Sequence, residues 1–241
     1  MVTGASSGIG FELAKLFAED GHDLIVAAED NAIQESADKL GDRGVGVLAV
    51  QVDLRKPDDV ELLYRTASGN GRPLDVAVLN AGLGHGGPFV DGDLESDLAV
   101  VDLNVHSTVV LAKLLLRDMT DRGTGKMLLT SSVAATMPGS LQAVYNASKS
   151  FIQSFAEALY DELRETGITV TSLMPDTIVG RMPKDDAAKV ARRGYEALMS
   201  GRRKVVAESV MSKAMGVAGS VLPDSVMAVA SRLISIPVGR I

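Results

Sequence analysis

Tyr145 and Lys149 stand four residues apart in Tyr145-Asn146-Ala147-Ser148-Lys149. On a helix that spacing puts both side chains on one face. A free phenol titrates near about 10, too high for proton exchange at neutral pH. An adjacent ammonium favours the phenolate and brings that value down. The pair can therefore give a proton to an oxygen, or take one from it, as a carbonyl and an alcohol interconvert. Taken alone, the same spacing also describes an ordinary helix surface. Ser132 adds to it, thirteen residues before Tyr145 and at the C-terminal end of the apolar run Met127–Thr130. Ligands of open α/β sheets sit outside the carboxyl ends of the strands, where such a hydroxyl would face a substrate. Its plainer reading is a strand-end serine satisfying backbone groups.

The second chemical feature is Thr3-Gly4-Ala5-Ser6-Ser7-Gly8-Ile9-Gly10. Glycines let a chain turn sharply and approach a pyrophosphate without an intervening Cβ. The helix that follows offers free N–H groups and the positive end of its dipole to phosphate oxygens. Any tight turn uses glycine, but a loop joining strand to helix at the head of an α/β chain points to dinucleotide binding.

The elements that must position these residues are legible as alternating segments. Apolar runs of strand length occur at Leu24–Ala28, Val45–Val52, Val76–Leu79, Met127–Thr130 and Ile168–Met174, with a weaker one at 205–207. Their near-continuous hydrophobicity implies burial on both faces, as in parallel sheets. Helical periodicity fills the intervals: Phe11–Asp20 stopped by Gly21, Asn31–Leu40, Pro57 to about Ala67, Leu94–Asp118 as one bent helix or two, Tyr145–Glu165, and 185–200. The expected fold is a doubly wound, mostly parallel α/β sheet of about seven strands, Rossmann-like, with helices on both faces. No internal repeat or linker interrupts it, so residues 1–241 read as one domain. Residues 208–241, with a break at Leu222-Pro223-Asp224, read as a helical cap on the core. Only Met1 and Val2 precede the glycine loop, whereas a strand needs about five or six residues; this is read as residues missing upstream.

Composition narrows the chemistry. With no cysteine, disulfides, zinc–thiolate sites and cysteine nucleophiles are excluded. Three histidines, His22, His85 and His106, make a histidine-rich metal centre improbable, and none is assigned a catalytic role. A net charge of −7 gives no overall attraction to nucleic acid or anionic membrane. No basic segment followed by an apolar core opens the sequence, and no apolar stretch reaches about 20 residues. The expectation is a cytoplasmic protein without nucleic-acid or membrane partners.

Together these residues resemble the short-chain dehydrogenase/reductase family over roughly residues 1–175. The glycine loop looks like its TGxxxGxG motif, and Asn80-Ala81-Gly82 like its NAG motif. Asn104, Ser132, Tyr145 and Lys149 look like its catalytic tetrad. Each motif alone is modest; in this order and spacing they are specific. The resemblance implies hydride transfer between a nicotinamide cofactor and a small-molecule alcohol or carbonyl substrate. Tyr145 would exchange the proton and Ser132 would hold the substrate oxygen. Lys149 would lower the phenol pKa and hold the ribose, while Asn104 would anchor a water in the proton path. The cofactor would lie against Gly4, Ser6, Ser7, Gly8, Ile9, Gly10, Glu29, Asp53, Leu54, Asn80, Ala81, Gly82, Tyr145, Lys149, Pro175 and Thr177. Asp53 would face the adenine edge, or else simply cap a helix.

The strand ending Ala27-Ala28-Glu29-Asp30 sets the cofactor expectation. A carboxylate accepts from a free ribose hydroxyl and repels a 2′-phosphate, whereas arginine does the reverse. Glu29 falls where phosphate-binding members carry arginine, and Ser7 where they carry a base. No base is visible nearby, so NAD is preferred over NADP. Two departures stand out. Pro175-Asp176-Thr177 replaces the family's Pro-Gly, and the substrate lid, near 176–200, is short; it is either reduced or lacks residues, and missing residues are the preferred reading. Met137, Leu141, Val144 and Met182 suggest an apolar pocket. An acyl-carrier reductase is the nearest enzymatic alternative. A cofactor-binding sensor that does no chemistry is the alternative from another class; the retained Ser132, Tyr145 and Lys149 weigh against it. The resemblance also implies a homodimer or homotetramer built on the helices around 94–118 and 145–165.

Overall fold

The computed structural model describes residues 1–69, 71–175 and 186–206. Its strands are β1 (Val2–Thr3), β2 (Leu24–Ala28), β3 (Val47–Gln51), β4 (Val76–Leu79), β5 (Gly125–Thr130), β6 (Ile168–Met174) and β7 (Lys204–Val206). Its helices are α1 (Gly8–Glu19), α2 (Ala32–Gly41), α3 (Pro57–Ser68), α4 (Leu94–Val101), α5 (Ser107–Arg122), α6 (Ala143–Glu162) and α7 (Ala187–Met199). The strands form one parallel sheet in the order β3-β2-β1-β4-β5-β6-β7.

The two-sided apolar runs work as expected. Ala77, Leu79, Met127 and Leu129 face one layer with α3, α5 and α6. Val78 and Leu128, between them in sequence, face the other with α1, α2 and α7. Each strand residue alternates sides, so a continuous apolar run is needed to serve both layers. β3 is barer than its sequence suggests: Leu48 is 44% exposed, because β3 is an edge strand.

Several boundaries shift. α1 begins at Gly8 rather than Phe11, because the last glycines of the loop already lie inside the helix. α6 ends at Glu162, short of Glu165. The expected stretch 94–118 is one continuous helix to Arg122, with a π turn at Asp102–His106 joining α4 to α5. By length and composition this helix could cross a membrane, contrary to the expectation that no stretch would qualify. Its apolar residues instead include a buried stripe, Leu111, Leu115 and Met119, packed on the sheet. β1 forms with two residues. Of the expected lid near 176–200, residues 176–185, which include Thr177 and Met182, lie outside the described residues, as does the expected C-terminal cap 208–241, and the rest of the lid is mostly α7.

The chain leaves β1 for β2 on one side and returns through β3 to β4 on the other. That reversal opens a crevice beyond the C-terminal ends of β1 and β4, where ligands of such sheets bind. A larger cavity of about 490 Å³ lies at the opposite ends of the strands, around Met1, Leu24 and Val76. None of the residues singled out for chemistry lines it.

Candidate active site

Thr3 organises the crevice. Its hydroxyl accepts from the backbone N–H of Asn80 and of Ala81, both at 3.0 Å, and donates to the Val78 carbonyl at 3.4 Å. Asn80 reinforces the join: its amide nitrogen donates to the carbonyls of Thr3 and Gly4, and its oxygen accepts from the Thr130 hydroxyl at 3.1 Å. The Asn80 side chain thus clamps β1, β4 and β5 at their ends. Gly4 has φ +65°, and a Cβ there would meet the Ala81 backbone at 2.9 Å. A Cβ on Gly10 would collide with the Gly4 carbonyl, so α1 can enter this close only through glycine. Gly8 differs: φ is +58°, and open space lies where its Cβ would be.

A cavity of about 230 Å³ occupies this crevice, lined by Gly4, Ser6, Ser7, Glu29, Asp53, Leu54, Asn80, Ala81, Gly82 and Leu103 among others. The structure therefore brings nine expected cofactor residues to one place. The N-cap Ser7 makes no side-chain cap hydrogen bond at the start of α1, and no acidic residue occupies the first turn of the helix. The leading N–H groups of Gly8, Ile9 and Gly10 have no carbonyl within the helix to meet. The glycine turn, the open face of Gly8 and this positive helix end fit a pyrophosphate.

The ribose end holds a residue missing from the sequence expectation. Arg55 Nη2 lies 2.8 Å from Glu29 Oε2, and Arg55 Nε lies 2.8 Å from Asp53 Oδ1. The expectation that no base stands near Glu29 is therefore corrected. The reason is register: Ala28 pairs with Gln51 across β2 and β3, which carries the turn after β3 alongside Glu29. The Arg55 contact holds the Asp53 carboxyl below its ordinary range. Asp53 does not cap α3, whose N-cap is Lys56; its side chain accepts from the Arg55 backbone at 3.1 Å. Asp30 accepts from the Ser6 hydroxyl at 2.9 Å and from Ala32 N at 3.0 Å.

The four expected catalytic residues come from three elements. The π turn carries Asn104 inward, where it is 1% exposed. Its oxygen accepts from Leu83 N at 2.8 Å; its nitrogen donates to Leu83 O and to the Ser148 hydroxyl, both at 2.9 Å. Ser148 in turn donates to the Tyr145 carbonyl at 2.7 Å. Asn104 is thus bound into the start of α6. π turns of this kind cluster at functional sites, and nothing in hydrophobic periodicity announces one.

Ser132 sits at the head of a short 3₁₀ turn, Val133–Thr136, fully buried, accepting from Ala134 N at 3.1 Å and donating to Pro175 O at 3.3 Å. That turn is fixed to α6 by Asn146, which donates to the carbonyls of Ala134 and Met137, and by Ser150, which donates to Ala135. Lys149 is buried, with its Nζ 6.0 Å from the Tyr145 ring centroid and 3.0 Å from the Thr130 carbonyl. Burial lowers its pKa from 10.5 to about 8. A Cβ on Gly82 would lie 3.1 Å from Lys149 Nζ and 3.3 Å from Asn104 Oδ1. Gly82 also lines the 230 Å³ crevice, so it joins that cavity to the lysine. Of the expected apolar pocket, Met137 is buried and Leu141 takes φ +66°, a strained value for leucine beside the start of α6.

A family model described as short chain dehydrogenase matches residues 1–212, further than the 1–175 over which the motifs extend. The oxidoreductase UcpA of Salmonella typhimurium is 30% identical over 209 residues, covering 86% of this chain and 79% of that protein. The NADP-dependent 3-hydroxy acid dehydrogenase YdfG of Salmonella typhi is 30% identical over 182 residues, covering 75% of this chain and 72% of that protein. A solved short-chain dehydrogenase from Sphingobium yanoikuyae in complex with NADPH aligns at TM-score 0.80 with 25% identity, covering 100% of this chain and 96% of that one. Fold and sequence agree, and the chain belongs to the short-chain dehydrogenase family of nicotinamide-dependent oxidoreductases.

Proposed function

We propose that this oxidoreductase acts on a small alcohol or the matching ketone, with Tyr145 exchanging the substrate proton and NAD preferred to NADP. The observation that carries the reading is Lys149. Its ammonium is stripped of water beside the Tyr145 ring and against the backbone of Gly82. A cation held there offsets the negative charge that develops when the phenol gives up its proton. The cofactor, when bound, supplies or accepts the hydride. Ser132 then turns its hydroxyl to the substrate oxygen and fixes it at the phenol. Asn104 positions rather than reacts, holding the Leu83 backbone to Ser148 and so to the turn that bears Tyr145.

The preference for NAD rests on charge. Glu29, Asp30 and Asp53 set three carboxylates at the ribose end against two cations, Arg55 and Lys56. A 2′-phosphate entering there meets net negative charge, while a ribose hydroxyl finds acceptors. Fluorescence titration with NADH and NADPH tests this directly: tighter NADH binding is expected, and tighter NADPH binding would overturn it. Turnover of a panel of secondary alcohols tests the chemistry. In Tyr145→Phe turnover should fall by about 10²–10⁴ with NADH affinity kept; unchanged turnover would remove Tyr145 from its role.

We also propose a homodimer or homotetramer. Leu94, Leu98 and Val101 on α4 and Phe151 on α6 are 66%, 49%, 38% and 42% exposed. An apolar face of this kind is suited to burial against a second copy. Sedimentation showing a monomer at micromolar concentration would remove it.

A further inference from the structure

We propose that Arg55 is a latent anchor for the 2′-phosphate of a nicotinamide dinucleotide, kept out of use by Glu29. The inference rests on the cofactor reading above and concerns what one residue would do within it.

The two carboxylates hold Arg55 unequally. Asp53 takes Nε at 2.8 Å and Nη2 at 3.0 Å, a two-point grip that fixes the plane of the guanidinium. Asp53 also accepts from the Arg55 backbone, so the residue is tethered at both ends. Glu29 takes Nη2 alone, at 2.8 Å. Removing Glu29 would therefore leave the guanidinium aimed where the glutamate stood, still held by Asp53. A guanidinium matches phosphate oxygens in geometry and charge. The Arg55 and Glu29 side chains are 40% and 59% exposed, so an entering phosphate can reach them. Glu29 lines the crevice with Gly4, Ser6 and Ser7, at the end of β2. The acidic residue thus has two effects on a 2′-phosphate: it repels the phosphate, and it occupies the cation that would bind it.

Those two effects separate in a double-mutant cycle. NADH and NADPH are titrated against wild type, Glu29→Ala, Arg55→Ala and the double variant. Glu29→Ala should bind NADPH about ten- to a hundredfold tighter, from a freed charge-assisted contact added to lost repulsion. Adding Arg55→Ala should abolish most of that gain. The ratio of NADPH to NADH affinity is the readout, since a general loosening of the fold weakens both. An equal gain with and without Arg55 would mean that only repulsion was relieved, and would sink the inference. So would wild-type NADPH binding that collapses in Arg55→Ala, because the arginine would then already be in use. If no variant binds either cofactor, the cofactor reading itself fails and takes this one with it.

Discussion

Replacing Lys149 by methionine should abolish turnover and yet make the fold more stable near pH 7. The lysine titrates at about 8 instead of 10.5 because burial removes its hydration. At about 1.36 kcal/mol per pH unit, holding the charge inside costs about 3 kcal/mol below pH 8. Methionine is flexible enough to fill the same space without charge. It also deletes the donor to the Thr130 carbonyl, 3.0 Å away, a loss of about 1 kcal/mol. The net gain expected is about 2 kcal/mol, or roughly 4–8 °C in Tm for a chain of this size. The pH dependence has a definite sign. The folded pKa lies below the unfolded one, so the penalty is full below about 8 and shrinks as the wild-type lysine loses its proton. It is gone above about 10.5. Wild type should therefore draw level with the variant near pH 9.5, to within about 1 kcal/mol. Urea unfolding at the two pH values measures both numbers. A variant less stable than wild type near pH 7, or a gap that ignores pH, would refute the claim that desolvation dominates this lysine.

The remaining predictions concern the crevice. Gly10→Ala drives a methyl into the Gly4 carbonyl; an unfolding free energy lowered by about 1–3 kcal/mol is expected, with cofactor affinity reduced in the NADH titrations. Thr3→Val keeps the shape but takes the acceptor from Asn80 N and Ala81 N. It should cost about 2–4 kcal/mol, and Thr3→Ser should recover most of it; equal midpoints for the two would show that the hydroxyl does not organise the strand ends.

Much of this was legible in the sequence because it depends on local chemistry. The apolar run Leu24–Ala28 is β2 to the residue, since a strand buried on both faces admits nothing else. The glycine turn, Ser132 and the Tyr145–Lys149 spacing were readable because each sits at a strand or helix end that its neighbours define. What stayed hidden depends on register or on backbone irregularity. Arg55 reaches Glu29 across 26 positions, through the pairing of β2 with β3. The cue was available in hindsight, since parallel neighbours bring successive post-strand turns together. The role of Thr3 as a hub could not be inferred from a threonine inside a motif, because its partners lie 75 to 78 residues away. The π turn at Asp102–His106 leaves no trace in hydrophobic spacing, as the helix is apolar on either side of it.

That π turn has a consequence for how the protein could change over generations. A π turn contains one residue more than the α-turn it replaces, so a single deletion between Asp102 and His106 would restore a plain α-helix. Because the wide turn takes up that residue within one circuit of the helix, α4 and α5 would keep their bearings, whereas a deletion from the plain α-helix on either side would swing one half by about 100° relative to the other. α5 would stay on the sheet through Leu111, Leu115 and Met119. The exposed stripe of Leu94, Leu98 and Val101 would face as before, and the wide turn that carries Asn104 inward would be lost. One codon thus sets the inward bearing of a buried amide and leaves the outward bearing of an apolar face untouched. A lineage that lost the extra residue would have to rebuild the support around that amide while its apolar face stayed in place.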